Sequence, residues 1–398
     1  MKIIYVLHTI GLNEGSSKAF LNLLQGVMHH GVEPFVVCPG RGKMYQYLQK
    51  NGIKVANCFY RYNTYPPFDK NAKNILLFLP RLFGRIMANT IGTIQLYRMC
   101  KYFKPDIIHT NVSVTGIGYY ASRLLRIPHV WHIREYGALD FNFHYYYCSR
   151  RQQLTRYRKI RSYTICITKD IQRYNELNNY CRSRVIYDGV LSAAHTYYNP
   201  HKQPYFLFAG RIEKAKGLYE FLVAYAHYCK VCAAPLPLHI AGRELENSDY
   251  PQKCHRFIEE NNLVNKVHFL GVRTDILSLY QEAQAIIVPS ISEGFGFITA
   301  EAMFSGCLVV GNDVAGTKEQ FDNGKDLTGE EIALRYTELE QLVHHLLEIT
   351  KNVREHNFQQ IYEPMILRAQ GVVKQLYTTE QNAQFVYDLY QKMKLENV

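Results

Sequence analysis

The pattern that most restricts how this chain can fold is an alternation of short apolar runs with helical segments, and it occurs twice. In the first half the β-rich runs KIIYVLH, EPFVVCP, KVANCF, DIIHTN, HVWHIR, YTICIT and RVIYDG are separated by segments of helical periodicity such as SSKAFLNLLQGVMHH. Short buried strands alternating with helices imply βα units and a parallel sheet. After a Pro- and Asn-containing connection at 191–204, the pattern restarts with YFLFAG, PLHIAG, KVHFLGV, AIIVPS and CLVVGND. The expectation is an α/β chain of two doubly wound domains, 1–195 and 196–378, with a helical segment at 379–398. In such sheets ligands bind beyond the carboxyl ends of the strands, so the informative residues should lie just after each run.

Length and composition agree with this, since 398 residues of which 47% are hydrophobic can bury substantial cores. The most apolar stretch, NILLFLPRLFGRIM from Asn74, is cut by Pro80 and soon charged, well below the ~20 residues that span a bilayer. The N-terminal MKIIYVLHTIG lacks a small-residue cleavage pattern and is expected to be a first strand rather than a signal peptide. Ten cysteines are scattered, and the lone CxxC, Cys229 to Cys232, has no second pair. Packing in a reduced, cytosolic chain is the expectation for it, against a zinc or redox role.

Charge divides the chain. Residues 1–199 hold 27 Lys and Arg against 9 Asp and Glu, a net of +18, while the remainder carries −6. Within the basic half, the stretch His144 to Tyr163 interleaves six Arg and Lys with tyrosines, and Pro80 to Lys104 mixes Leu, Ile and Met with five basic residues. Basic residues beside aromatics suit an anionic membrane surface or nucleic acid, and a solvated basic face is the plainer alternative.

Four stretches after strands draw attention. In FAGRIEKAKG, Phe208 to Gly217, Arg211 and Lys216 follow a strand exit within one loop. Two cations there suit a phosphate or diphosphate, which Arg can fork and Lys can meet with a compact charge; the alternative is two surface cations. In SEGFGFITAEAMFSG, Ser292 to Gly306, the loop Gly294, Phe295, Gly296 needs backbone freedom, and the helix start at Phe297 and Ile298 presents N–H groups to an anion. Glu293 in the loop and Glu301 about one turn into the helix would be awkward beside phosphate, so they are expected to accept hydrogen bonds from sugar and ribose hydroxyls; otherwise they are exposed helix-end glutamates. In GLNEGSSKAFLNLL, Gly15, Ser16 and Ser17 open another anion-ready helix, which is not the GxGxxG of nicotinamide sites. Lastly His132, read as following a strand in VWHIREYG, is either structural or part of a site.

Taken in order and spacing, GRIEKAKG, VHFLG, VPSISEGFGFITAEAMFSG and GNDVAGTKEQF resemble family 4 of the retaining glycosyltransferases, of GT-B fold, and the pair Glu293 and Glu301 with seven residues between matches that family's EX7E signature. The first half is similar more loosely, through GLNEGSSKAF, DIIHTN, WHIRE and VIYDGV. The resemblance implies a donor bound between two Rossmann-like domains, with the final helix crossing back to the first. It puts Arg211 and Lys216 on the nucleoside diphosphate, Glu301 on the ribose, Glu293 on the donor sugar with His132 facing it, Phe297 and Ile298 at phosphates and sugar, and Gly15 with Ser16 at the reaction centre. Val272 and Arg273 would meet the nucleobase. The chain departs from the family where GSS replaces two glycines, where Asp188 stands in a Tyr-Asn-Gly position, a change expected to be structural because Asp keeps a turn-capping oxygen, and where Ile133 follows the histidine.

The implied chemistry is transfer of a sugar with loss of a nucleoside diphosphate, retaining and metal-independent, with cations and a helix dipole stabilising the departing charge. The chain has no Asp-x-Asp. No cofactor is expected beyond a UDP-sugar or GDP-sugar donor, and no metal. The acceptor is expected to be a glycan, such as a polyprenyl-diphosphate-linked one, for capsule, O-antigen or exopolysaccharide synthesis at the cytoplasmic face of a plasma membrane. An anionic membrane surface is the expected partner, with no specific nucleic acid. The competing readings are a sugar-nucleotide epimerase of the same fold and a catalytically silent interaction subunit.

Overall fold

The computed structural model of the chain describes residues 1–12, 14–65, 72–141, 144–146, 149–245 and 248–396. Asn13 of the GLNEGSS stretch, and Tyr147 and Cys148 of the basic-aromatic stretch, lie outside the described residues. The chain forms two compact units, Met1–Gly189 with Thr379–Val398, and Val190–Thr378.

The first unit holds a parallel sheet of β1 (Lys2–Val6), β2 (Glu33–Cys38), β3 (Lys54–Asn57), β4 (Ile107–Thr110), β5 (His129–Ile133), β6 (Ser162–Cys166) and β7 (Ser183–Val185), in the order β3-β2-β1-β4-β5-β6-β7. β1 shows why the sheet needs helices on both faces. Ile3 and Tyr5, with Leu7 just past the strand, enter one apolar cluster while Ile4 and Val6 enter another, as the two-residue period of a strand requires. The helix Gly15–His29 buries Ser17, Phe20, Leu24 and Val27 with Ala19 and Leu23, the i, i+3, i+4 spacing of one face. The helix Thr379–Glu396 adds Ala383, Val386, Leu389, Tyr390 and Met393 to that first cluster. It lies so near Gly15–His29 that a Cβ on Gly26 would come 2.4 Å from the Ala383 Cβ.

The second unit repeats the plan with β8 (Gln203–Ala209), β9 (Leu238–Ala241), β10 (Val267–Gly271), β11 (Ala283–Val288), β12 (Leu308–Asn312) and β13 (Leu334–Tyr336), ordered β10-β9-β8-β11-β12-β13 and all parallel. β11 is buried along its whole length, between β8 and β12. In both units the chain builds outward in one direction and then restarts beside its first strand. That reversal sets the loops leaving β1 and β4, and those leaving β8 and β11, next to each other.

Four details bear on the sequence expectations. Pro80 does not cut its segment: it lies in the first turn of a 26-residue helix, Phe78–Phe103, where a missing N–H breaks no hydrogen bond. No described helix is long and apolar enough to cross a membrane. β13, three residues including Arg335, is an edge strand absent from the apolar runs. Cys229 and Cys232, at the end of the helix Leu218–Val231, pack against the apolar core of their unit.

Candidate nucleotide-sugar site

The loops leaving β8 and β11 are tied to each other in the second unit. The Ile291 N–H donates to the Ala215 carbonyl at 2.9 Å. Gly217 has φ +69°, and a Cβ there would fall 1.9 Å from the Pro289 carbonyl oxygen, so only glycine permits this approach of the two loops. Across them Lys216 Nζ forms an ion pair with Glu293 Oε1, with the side chains only 16% and 13% exposed. The same Glu293 oxygen accepts from the Ser290 hydroxyl at 2.9 Å. Two residues 77 positions apart are therefore brought together at the reversal point of the sheet, in water-poor surroundings where charge acts strongly.

The Gly294-Phe295-Gly296 turn is fixed from the helix Ala315–Thr328. The Gly316 N–H donates to the Glu293 carbonyl at 2.9 Å, and Gln320 Nε2 donates to the carbonyls of Phe295 and Gly296 at 2.5 and 3.0 Å. Gly296 takes φ +92° as the residue before the helix Phe297–Phe304, whose start has no side-chain cap. The first N–H groups of that helix, Phe297 and Ile298 among them, have no carbonyl within it to bond. Around this turn the buried Thr299 Oγ1, Thr317 Oγ1 and Gln320 Oε1 lack hydrogen-bond partners among the described residues. Ser290, Thr317 and Gln320 were not singled out from sequence. The last two stand in GTKEQ, which carried resemblance but gave no spacing signal of its own.

The remaining expected residues fall into different settings. Arg211, half exposed, pairs with Glu213 at 2.7 Å beside Lys216. Glu301 is buried and accepts from the Tyr280 hydroxyl at 3.4 Å. Burial and the Glu301 carboxylate together hold the Tyr280 hydroxyl well above its ordinary range. Val272 and Arg273 follow the edge strand β10, two strands from β8, and Arg273 there forks the Asp275 carboxylate at 2.8 and 2.6 Å. They are not part of the Lys216–Glu293 cluster.

In the first unit Gly15 opens its helix, and a Cβ there would meet nothing within 4 Å, so the glycine leaves open space. Ser16 Oγ lies 3.5 Å from His8 Nε2, and His8 lies 3.8 Å from Glu14. Burial and Arg134 push the His8 imidazole down to about 4. His132 lies within β5 rather than after it and is fully buried. Its Nδ1 is 3.1 Å from His109 Nε2 and 3.3 Å from Arg134 Nη2. Arg134 in turn pairs with the buried Asp188. Asp188 thus has a buried countercharge, beyond any part in the turn. Burial, with Arg134 and His109 adding to it, holds His132 neutral.

A sheet ordered this way twice, with a cation–carboxylate pair and an uncapped helix start at the reversal point, is a doubly wound pair of the GT-B type. Anabaena HepE, solved with UDP, shares that fold at a TM-score of 0.75, with 18% identity over 98% of this chain and all of that one. The chain belongs to the glycosyltransferases: residues 14–191 match the model of Glycosyltransferase Family 4 and residues 196–360 that of Glycosyl transferases group 1. It is 24% identical over 272 residues to UDP-Gal:alpha-D-GlcNAc-diphosphoundecaprenol alpha-1,3-galactosyltransferase of Escherichia coli, covering 62% of this chain and 69% of that protein. It is 28% identical over 130 residues to D-inositol 3-phosphate glycosyltransferase of Corynebacterium urealyticum, covering 30% and 29% of the two. The chain thus spans less than a third of one of these relatives and about two thirds of the other.

Proposed function

We propose that the chain transfers a sugar from a nucleoside-diphosphate sugar to a glycan acceptor in surface-polysaccharide synthesis, with the Lys216–Glu293 pair at the β8/β11 reversal as the observation that carries the reading. Lys216 and Arg211 would meet the diphosphate, and the Phe297 helix start would add its N–H groups. Charge developing on the departing diphosphate is stabilised where those groups stand ready before reaction. Glu293 would accept from the donor sugar hydroxyls and Glu301 from the ribose. The Thr299 and Thr317 hydroxyls, without hydrogen-bond partners among the described residues, would supply further polar groups beside the same turn. Gly15 and Ser16 would line the reaction centre, while His132, buried in its network, would act on the sugar only through the groups around it. Val272 and Arg273 are kept as the nucleobase contact.

The E. coli relative uses, by name, a UDP-sugar and a diphosphoundecaprenol-linked acceptor, which supports a UDP-sugar donor and a lipid-linked acceptor here. Retention of configuration, independence of metal, action without a cofactor, an anionic membrane partner and a place on the inner face of the plasma membrane belong to the same proposal. The relatives named are transferases, which disfavours both the epimerase and the silent subunit. Thermal unfolding with UDP and GDP tests the donor site directly. One of them should raise Tm, and Lys216→Ala should abolish the rise; no shift with either nucleotide would refute it. Incubation with candidate donors and lipid-linked acceptors, read by mass, identifies the product.

A further inference from the structure

The helix Phe78–Phe103 has two faces of different character. Ala88, Gly92, Leu96, Cys100 and Phe103 are buried, and Leu96, Cys100 and Phe103 join the apolar cluster under β1 and β4. Gly92 lies against the Phe59 backbone, where a Cβ would come within 2.8 Å of a carbonyl oxygen. The opposite face carries Leu79, Phe83, Met87 and Ile94 at 71, 65, 44 and 48% exposure, with Ile86 and Ile91 beside them. Leu76, the last residue of the short helix Ala72–Leu76 just before, is 78% exposed. Positions 76, 79, 83, 87 and 94 recur at helical spacing, so they form one stripe, about 22 Å long from residue 79 to 94. Large apolar side chains scattered singly are ordinary, but a continuous stripe of this length marks a binding surface.

Charge decides the occupant. The same stripe continues at its C-terminal end as Arg98 and Lys101, and residues 72–104 contain six Lys and Arg with no Asp or Glu. An apolar helix face ended by cations, with no carboxylate along it, complements a surface that is apolar beneath and anionic above. We infer that this helix docks the chain in the plane of an anionic bilayer, Leu79, Phe83, Met87 and Ile94 entering the acyl boundary and Arg98 and Lys101 meeting lipid phosphates. This deepens the proposed function, because it places the chain where a lipid-linked acceptor resides.

The test uses the full chain and vesicles of phosphatidylcholine alone or with phosphatidylglycerol, read by flotation. Binding is expected to anionic vesicles and to fall steeply in 0.5 M salt. Leu79→Gln with Phe83→Gln and Ile94→Gln should abolish it, and Arg98→Gln with Lys101→Gln should weaken it about thirtyfold. Trp131, the sole tryptophan, is buried, so Phe83→Trp gives a reporter whose emission should shift to the blue on anionic vesicles. Indifference of flotation to lipid charge, no emission shift, or self-association through this face in place of vesicle binding would each overturn the inference. The nucleotide-induced Tm rise is measured without lipid, so it stands or falls separately and shows whether the docking or the enzyme reading has failed.

Discussion

At the scale of single residues, the site rests on a charge pair whose members have separable jobs. Glu293 is held by Lys216 and Ser290, so Glu293→Gln keeps the shape and removes the charge that orients Lys216 and would grip the sugar. We expect kcat/KM to fall about 100- to 1000-fold, with stability lowered by ~1–2 kcal/mol because Lys216 is left largely buried without its partner. The double variant Lys216→Met with Glu293→Gln should recover that stability but no turnover. Recovery of turnover in the double variant would show that the pair is only structural.

At the scale of elements, the loops matter more than the strands that carry them. Gly217→Ala would force a Cβ into the Pro289 carbonyl at positive φ, and we expect a loss of roughly 2–4 kcal/mol, read as a lower urea midpoint. Gly15→Ala, in open space at a helix start, should leave that midpoint within about 0.5 kcal/mol of its original value. An effect of Gly15→Ala on turnover alone would then place Gly15 near the reaction. The opposite ranking of the two variants would contradict the loop contact.

At the scale of the whole molecule, the first unit contains a set of imidazoles kept neutral by burial. His8 is pushed down to about 4 and His129 to about 3, while His109 and His132 lie well below 6.5. His109 also meets Tyr390 of the last helix at 2.5 Å, and Arg134 and Asp188 close the same network. Between the depressed folded values and 6.5 the unfolded chain binds more protons than the folded one. Their contribution to stability is therefore complete above about pH 6.5 and is lost as pH falls towards 4. Asp188, raised by burial, acts in the opposite sense, but it is one carboxyl against four rings. Tm measured from pH 7.5 down to 4.5 should decline across this window, and His109→Gln should flatten the decline. A flat profile for the unaltered chain would refute the buried-neutral network.

Much of this was legible in the residues. The central strands were readable because a strand buried on both faces must be a short apolar run, and the edge strands β3, β7 and β10 were readable through the apolar stretches KVANCF, RVIYDG and KVHFLGV that contain them. β13 escaped because Leu334, Arg335 and Tyr336 pair only with β12 at an edge, where local composition is weakly constrained. Arg211, Lys216, Glu293 and Glu301 could be picked out as charges beyond two strand exits, but many other strand exits also carry charge, and it was the resemblance rather than local composition that joined these four into one expected site. Sequence alone determined the two α/β units and which stretches carry charge to the ends of the strands. Only the tertiary structure decided that Lys216 meets Glu293, that Gln320 and Gly316 fix the Gly294–Gly296 turn, that His132 is sealed in the sheet, and that one helix face stays apolar and uncovered. Those facts depend on the packing of segments far apart in the chain, and no local pattern of residues encodes them.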